Sequence, residues 1–144
     1  MPASRRFTPV ERIESGRYVF LLAVSFALAV IATRAFLELT GYPQLGSTTL
    51  HIAHLLWGGL ALILALLAVL IFANRWIMLS SAVLGGIGVG LFIDEVGKFI
   101  TVDNDYFFPW AAPIIYAVLL LLVLVVLLAN RNRPRTPRAD LYHA

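Results

Sequence analysis

The chain contains no cysteine in its 144 residues, which excludes disulfides, thiolate metal sites and cysteine nucleophiles. Charge is scarce too: 13% of residues are charged against 60% hydrophobic, with a mean hydropathy of +0.88. Soluble domains carry about 45–50% apolar residues. The scarcity is also uneven. Between the ends of four long apolar stretches, at 18–39, 52–73, 76–100 and 107–129, ionisable side chains are confined to one half of the layer. Each stretch is close to the ~20 residues needed to cross ~30 Å of hydrocarbon. Together they leave no length for a sizeable soluble domain, so any activity must lie within a membrane or at its surfaces.

The expected fold is therefore an all-α membrane protein, a bundle of four transmembrane helices. It divides into a basic N-terminal segment (1–17), the helical domain (18–129) and a basic tail (130–144). The first stretch is too long for a signal-peptide core and lacks a small-residue cleavage site after Leu39. "SRRF" at 4–7 reads as an ordinary basic flank. Thr8-Pro9-Val10-Glu11 matches a capping box with proline at the first helical position, which predicts a short interfacial helix starting at Thr8.

Orientation follows from the basic residues. Arg5, Arg6, Arg12 and Arg17 precede the first span, Arg75 lies between the second and third, and Arg131, Arg133, Arg135 and Arg138 follow the fourth. The other two loops have none, so the positive-inside rule places both termini in the cytoplasm. Tyr42, Tyr106, Phe107, Phe108 and Trp110 fit an outer aromatic belt, and Tyr18 and Trp76 an inner one. The tail, with four arginines and two prolines, reads as a disordered strand drawn to anionic lipid headgroups.

With that topology Arg34, Glu38, His51, His54, Asp94, Glu95 and Lys98 all fall in the outer half. Arg34, His54 and Asp94 each lie within roughly 10 Å of the outer end of their span at 1.5 Å per residue. Three helices thus offer polar groups at one depth. In the second span His51, His54, Gly58, Ala61, Ala65 and Ala68 recur at three and four; in the third, Ala82, Gly86, Gly90 and Asp94 recur at four, with Gly97 on the same side. Stripes of small residues let membrane helices approach closely. Because Asn74 and Arg75 leave only a tight turn, these two stripes are expected to face each other across a hairpin and to set His54 near Asp94.

Within single helices, Asp94 and Lys98 are spaced as a favourable acid-first pair and Arg34 and Glu38 as the weaker reverse. That leaves Glu95 and the histidines over, and places Glu95 about 100° around its helix from Asp94. The five formal charges sum to −1, and the dipole of the second helix favours neutral imidazoles at its start. The set suits a cation. His51 and His54, with Asp94, Glu95 and Glu38, supply nitrogen and oxygen donors for zinc or iron, or for a shared proton, with Arg34 and Lys98 as ion-pair support.

Haem fits less well, because neighbouring histidines on one helix cannot grip both faces of one porphyrin. An ion relay is opposed by inner halves devoid of ionisable groups. The structural alternative is a knot of buried ion pairs that fixes helix register in an accessory subunit, with the leucine- and valine-rich fourth span turned to lipid or to a larger partner. Homo-oligomers or a membrane complex are the expected partners, with no nucleic acid. An enzyme ranks below these, since no activated nucleophile is visible.

"GLFIDEVGKFIT" (90–101) followed by "DNDYFFPWAAPIIY" resembles a motif of small, uncharacterised four-span bacterial integral membrane proteins. The match covers about a third of the chain. It implies a bacterial inner-membrane location and singles out Asp94, Glu95 and Lys98, but carries no known activity.

Overall fold

In a computed structural model, the described residues are 12, 14–40, 54–95 and 109–131. They form four helices: α1 (Ser15–Thr40), α2 (His54–Ile71), α3 (Arg75–Asp94) and α4 (Ala111–Ala129). Three of them, α1, α3 and α4, are long and apolar enough to cross a membrane, and α2 is a shorter apolar helix. The capping box at Thr8, the histidine at 51, Gly97, Lys98 and most of the tail lie outside the described residues.

The ends of the helices follow local chemistry. α1 stops just before the Gly41-Tyr42-Pro43 sequence, residue types that cannot easily continue a helix. Its last hydroxyl, Thr40 Oγ1, donates back to the Phe36 carbonyl at 2.6 Å. Only residues 72–74 separate α2 from α3, the tight turn expected from the sequence. α4 carries Pro113 in its first turn, where a missing N–H leaves no intrahelical bond unmade. α3 is described from Arg75 to Asp94 with Glu95 as its C-cap, and the remainder of the span expected to reach Ile100 lies outside the described residues.

α3 is the central helix. It packs against α1 on one side and α2 on the other, while α4 lies mainly against α1. Glycines on two sides of α3 make this possible. A Cβ at Gly88 would come within 2.9 Å of the Gly58 carbonyl oxygen and 3.0 Å of the Leu62 nitrogen, and one at Gly58 within 2.8 Å of the Gly88 oxygen. On the other side, a Cβ at Gly90 would meet Ala29 Cβ at 2.8 Å and the Phe26 oxygen at 2.9 Å; one at Gly86 would press on the Leu22 carbonyl and lie 2.8 Å from Ser25 Cβ.

The expected facing of stripes is therefore corrected. Gly86 and Gly90 lie against α1, and it is Gly88 that meets Gly58 of α2. The physical reason is that a helix flanked on both sides needs two small faces. Gly86 and Gly90, four apart, supply one, and Gly88, two residues from each and so on the other side of the helix, supplies the second.

The centre of the α1–α3 interface is Phe26, fully buried, with Ala23, Val30 and Ala82 near it in burial. α4 contrasts sharply, for Ala111 is its only buried residue, and Leu120, Leu121, Leu124 and Leu127 are among its exposed side chains. So much exposed apolar surface is unusual for a chain in water.

These contacts separate the glycines into two groups. Gly86→Ala and Gly88→Ala each force backbone apart and are expected to destabilise the fold by about 1–3 kcal/mol. Gly59→Ala, where nothing lies within 4 Å, is expected to be neutral or slightly stabilising, because helix propensity rises from glycine to alanine. Reversible unfolding in detergent, followed by circular dichroism, checks the ranking.

Candidate functional site

Two consecutive acids at the end of α3 turn to different neighbours. Asp94, fully buried, accepts a hydrogen bond from Arg34 Nε of α1 at 2.6 Å, a charge-assisted contact. Glu95, 1% exposed, accepts from the backbone N–H of Leu55 at 2.6 Å through Oε2. Leu55 is the second residue of α2. The two carboxylates are about 100° apart around the helix, which is what lets one chain position serve α1 and the next serve α2.

The Glu95 contact answers a specific need. The first N–H groups of a helix have no intrahelical partner, and in an apolar surrounding each one left unmet is costly. α2 begins beside α3 rather than beyond it, and a carboxylate from the neighbouring helix takes up one of these donors. The electrostatics agree, since the start of α2 carries the positive end of its dipole. At the C-terminus of α3 the same carboxylate faces an unfavourable dipole, so its placement is explained by α2 and not by its own helix.

Of the residues expected to form the site, the structure brings together Arg34, Asp94, Glu95 and the first turn of α2, which His54 heads. The expected Arg34–Glu38 pairing is replaced: Arg34 reaches Asp94, and Glu38 is exposed. The imidazoles of His51 and His54 and the ammonium of Lys98 lie outside the described residues, as does Gly97. Among the described residues no group of three or more histidine, aspartate or glutamate side chains is placed to hold a metal ion.

A second polar cluster lies at the opposite end of the α1–α3 pair, on residues that the sequence pattern does not single out as a cluster. Glu14 accepts from Arg75 Nη2 at 2.7 Å through Oε1 and from Arg75 Nε at 3.0 Å through Oε2. Tyr18 donates its hydroxyl to the same carboxylate at 3.2 Å, and Arg17 approaches at 3.9 Å. Arg12 lies beside it, with Nη1 2.8 Å from Met78 Sδ. Nothing in local spacing links residues 61 positions apart; the only clue is that Glu14 and Arg75 flank the parallel first and third spans at equivalent depth.

No protein-family model, no curated protein and no solved structure matches the chain.

The Arg34–Asp94 pair predicts strong non-additivity. Asp94→Leu leaves a guanidinium without its buried counter-charge and is expected to cost about 3–5 kcal/mol, whereas Arg34→Met with Asp94→Leu is expected to recover most of it. A double-mutant cycle on unfolding free energy measures the coupling; additive single effects would refute the pairing. Glu95→Gln keeps an acceptor for Leu55 N–H and is expected to be milder than Glu95→Leu, which loses it at about 1–3 kcal/mol.

Proposed function

We propose that the protein is a multi-pass bacterial inner-membrane protein, with both termini cytoplasmic, that acts as a structural or accessory subunit of a membrane complex. In this reading the polar cluster at the extracytoplasmic ends of its helices fastens α1 and α2 to α3. One observation carries it. Both buried carboxylates are engaged by parts of the chain itself, Asp94 by the Arg34 guanidinium and Glu95 by the N–H that opens α2. Each carboxylate thus has a partner within the chain that offsets the cost of its burial without any ligand. The exposed apolar surface of α4 supplies what a subunit needs, a face for lipid or for a larger partner.

A second reading is favoured by the placement of His54 at the head of α2, one residue from the amide that Glu95 receives. There a transition metal, zinc or iron, or a proton shared with the carboxylates, would make the cluster a cation site, with His51, His54, Asp94 and Glu95 as donors. Haem binding ranks below it.

Elemental analysis and the absorption spectrum of the purified full chain separate the two. The subunit reading expects metal far below stoichiometric and an unfolding midpoint unmoved by a chelator. Stoichiometric zinc or iron, lost together with stability in His54→Ala, would replace it with the cation reading.

Topology has its own check, made simple by the lack of native cysteine. Ser4→Cys is expected to react with a membrane-impermeant maleimide only after cells are opened, and Asp103→Cys in intact spheroplasts. Labelling of both from one side would overturn the orientation.

A further inference from the structure

The cluster around Glu14 holds an excess of positive charge that the folding of the helices does not use up. Among the described residues, Glu14 is the one carboxylate at this end, against the guanidiniums of Arg12, Arg17 and Arg75. Arg131 adds a fourth near by. It follows Asn130, whose side-chain amide presses against the site where Gly16 lacks a Cβ. Arg17 and Arg75 converge on the same oxygen, Glu14 Oε1, at 3.9 and 2.7 Å, and their side chains remain 53% and 59% exposed. Neither is used up by the contact.

Two further features point the same way. α1 and α3 run parallel, since Glu14 meets Arg75 at their starts and Arg34 meets Asp94 near their ends. Both N-termini therefore open at this end: Glu14, at the head of α1, is the one acid there among the described residues, and α3 has no acid in its first turn and no side-chain cap from Asn74. Their dipoles add positive potential to that of the arginines.

From Arg17 an exposed stripe runs along α1 at intervals of three and four through Phe20, Val24, Leu28 and Ile31. It is apolar throughout. A guanidinium at one end of a continuous apolar ridge matches a molecule with an anionic head and a hydrocarbon chain.

We propose that this end of the α1–α3 pair binds an acidic phospholipid, its phosphate held between Arg17 and Arg75 and one acyl chain laid along Phe20, Val24, Leu28 and Ile31. The site rests on the membrane reading above and on nothing in the Asp94 cluster. It is also distinct from the basic tail: its arginines are fixed on helix ends, so it selects a lipid at one place on the surface. By the proposed orientation it takes that lipid from the cytoplasmic leaflet.

Trp76, adjacent to Arg75 and 81% exposed, is a built-in reporter. In the full-length chain with Trp57→Phe and Trp110→Phe, Trp76 becomes the sole tryptophan. Reconstituted in phosphatidylcholine vesicles, it is read for quenching by acyl-brominated phosphatidylglycerol against acyl-brominated phosphatidylcholine. The acidic lipid is expected to quench as though enriched roughly fivefold or more over its bulk fraction, the scale of one arginine at a membrane surface. Arg17→Gln is expected to bring the two lipids together.

The joint variant Arg133→Gln, Arg135→Gln and Arg138→Gln is expected to leave the enrichment in place. Equal quenching by the two lipids, or enrichment that survives Arg17→Gln and disappears with the tail variant, overturns the site. Quenching by neither lipid overturns the membrane reading itself.

Discussion

The end of α3 is where the fold is decided. Two acids in succession, Asp94 and Glu95, are buried in an otherwise apolar assembly, and each is matched by a different neighbour. If both had pointed one way, one helix would have received two charges and the other none. The angular step of the α-helix divides them instead, so that a dipeptide ties three helices at one level. Apolar packing alone cannot do this. Leucine against leucine is nearly as favourable a residue up or down, while a carboxylate separated from its guanidinium in a medium of low dielectric is not.

Glycine sets the distance over which those bonds must act. With Gly86 and Gly90 toward α1 and Gly88 toward Gly58 of α2, α3 approaches both partners to near backbone contact. The polar bonds at its end are 2.6 Å long on each side. A larger side chain at either glycine face would hold the axes apart and pull Asp94 and Glu95 away from their partners. Packing and polar contacts in this chain are accordingly one constraint, felt at two depths of the same interface.

How much of this was legible before folding depended on whether the signal was local. The existence and type of the helices, the tight turn at 72–74 and the exposed character of α4 were written in runs of apolar residues and their breaks. The site residues Arg34, Asp94 and Glu95 stood out because ionisable groups are rare in such runs. Their pairings did not. Spacing within one helix suggested Arg34 with Glu38, yet the bond formed is between helices, because a partner at i+4 lies up the same helix and leaves the interface with α3 uncompensated.

Glu95 was the residue with no assigned contact. A donor on the backbone leaves no trace in the sequence, so the N–H of Leu55 could not be foreseen. The second glycine face was readable in principle: Gly85 and Gly88 beside Gly86 and Gly90 in "LGGIGVG" are more small residues than one interface requires.

The two polar clusters also measure the protein against a bilayer. Glu14 to Arg75 and Arg34 to Asp94 are separated by 61 and 60 positions in sequence, so the register of α1 on α3 slips by only one residue between the two ends. About 20 residues of helix lie between the clusters, which at 1.5 Å each is roughly 30 Å, the thickness of a hydrocarbon core. Placed there, each ion pair would sit at the edge of the apolar layer, where headgroups and water reduce the penalty on its more exposed partner. The Glu14 cluster, with its carboxylate about a third exposed, and the Asp94 cluster, with its carboxylate fully buried, then differ in the way their settings require. The first lies open to the interface. The second is joined to the head of α2, where the Leu55 N–H meets the Glu95 carboxylate at that depth.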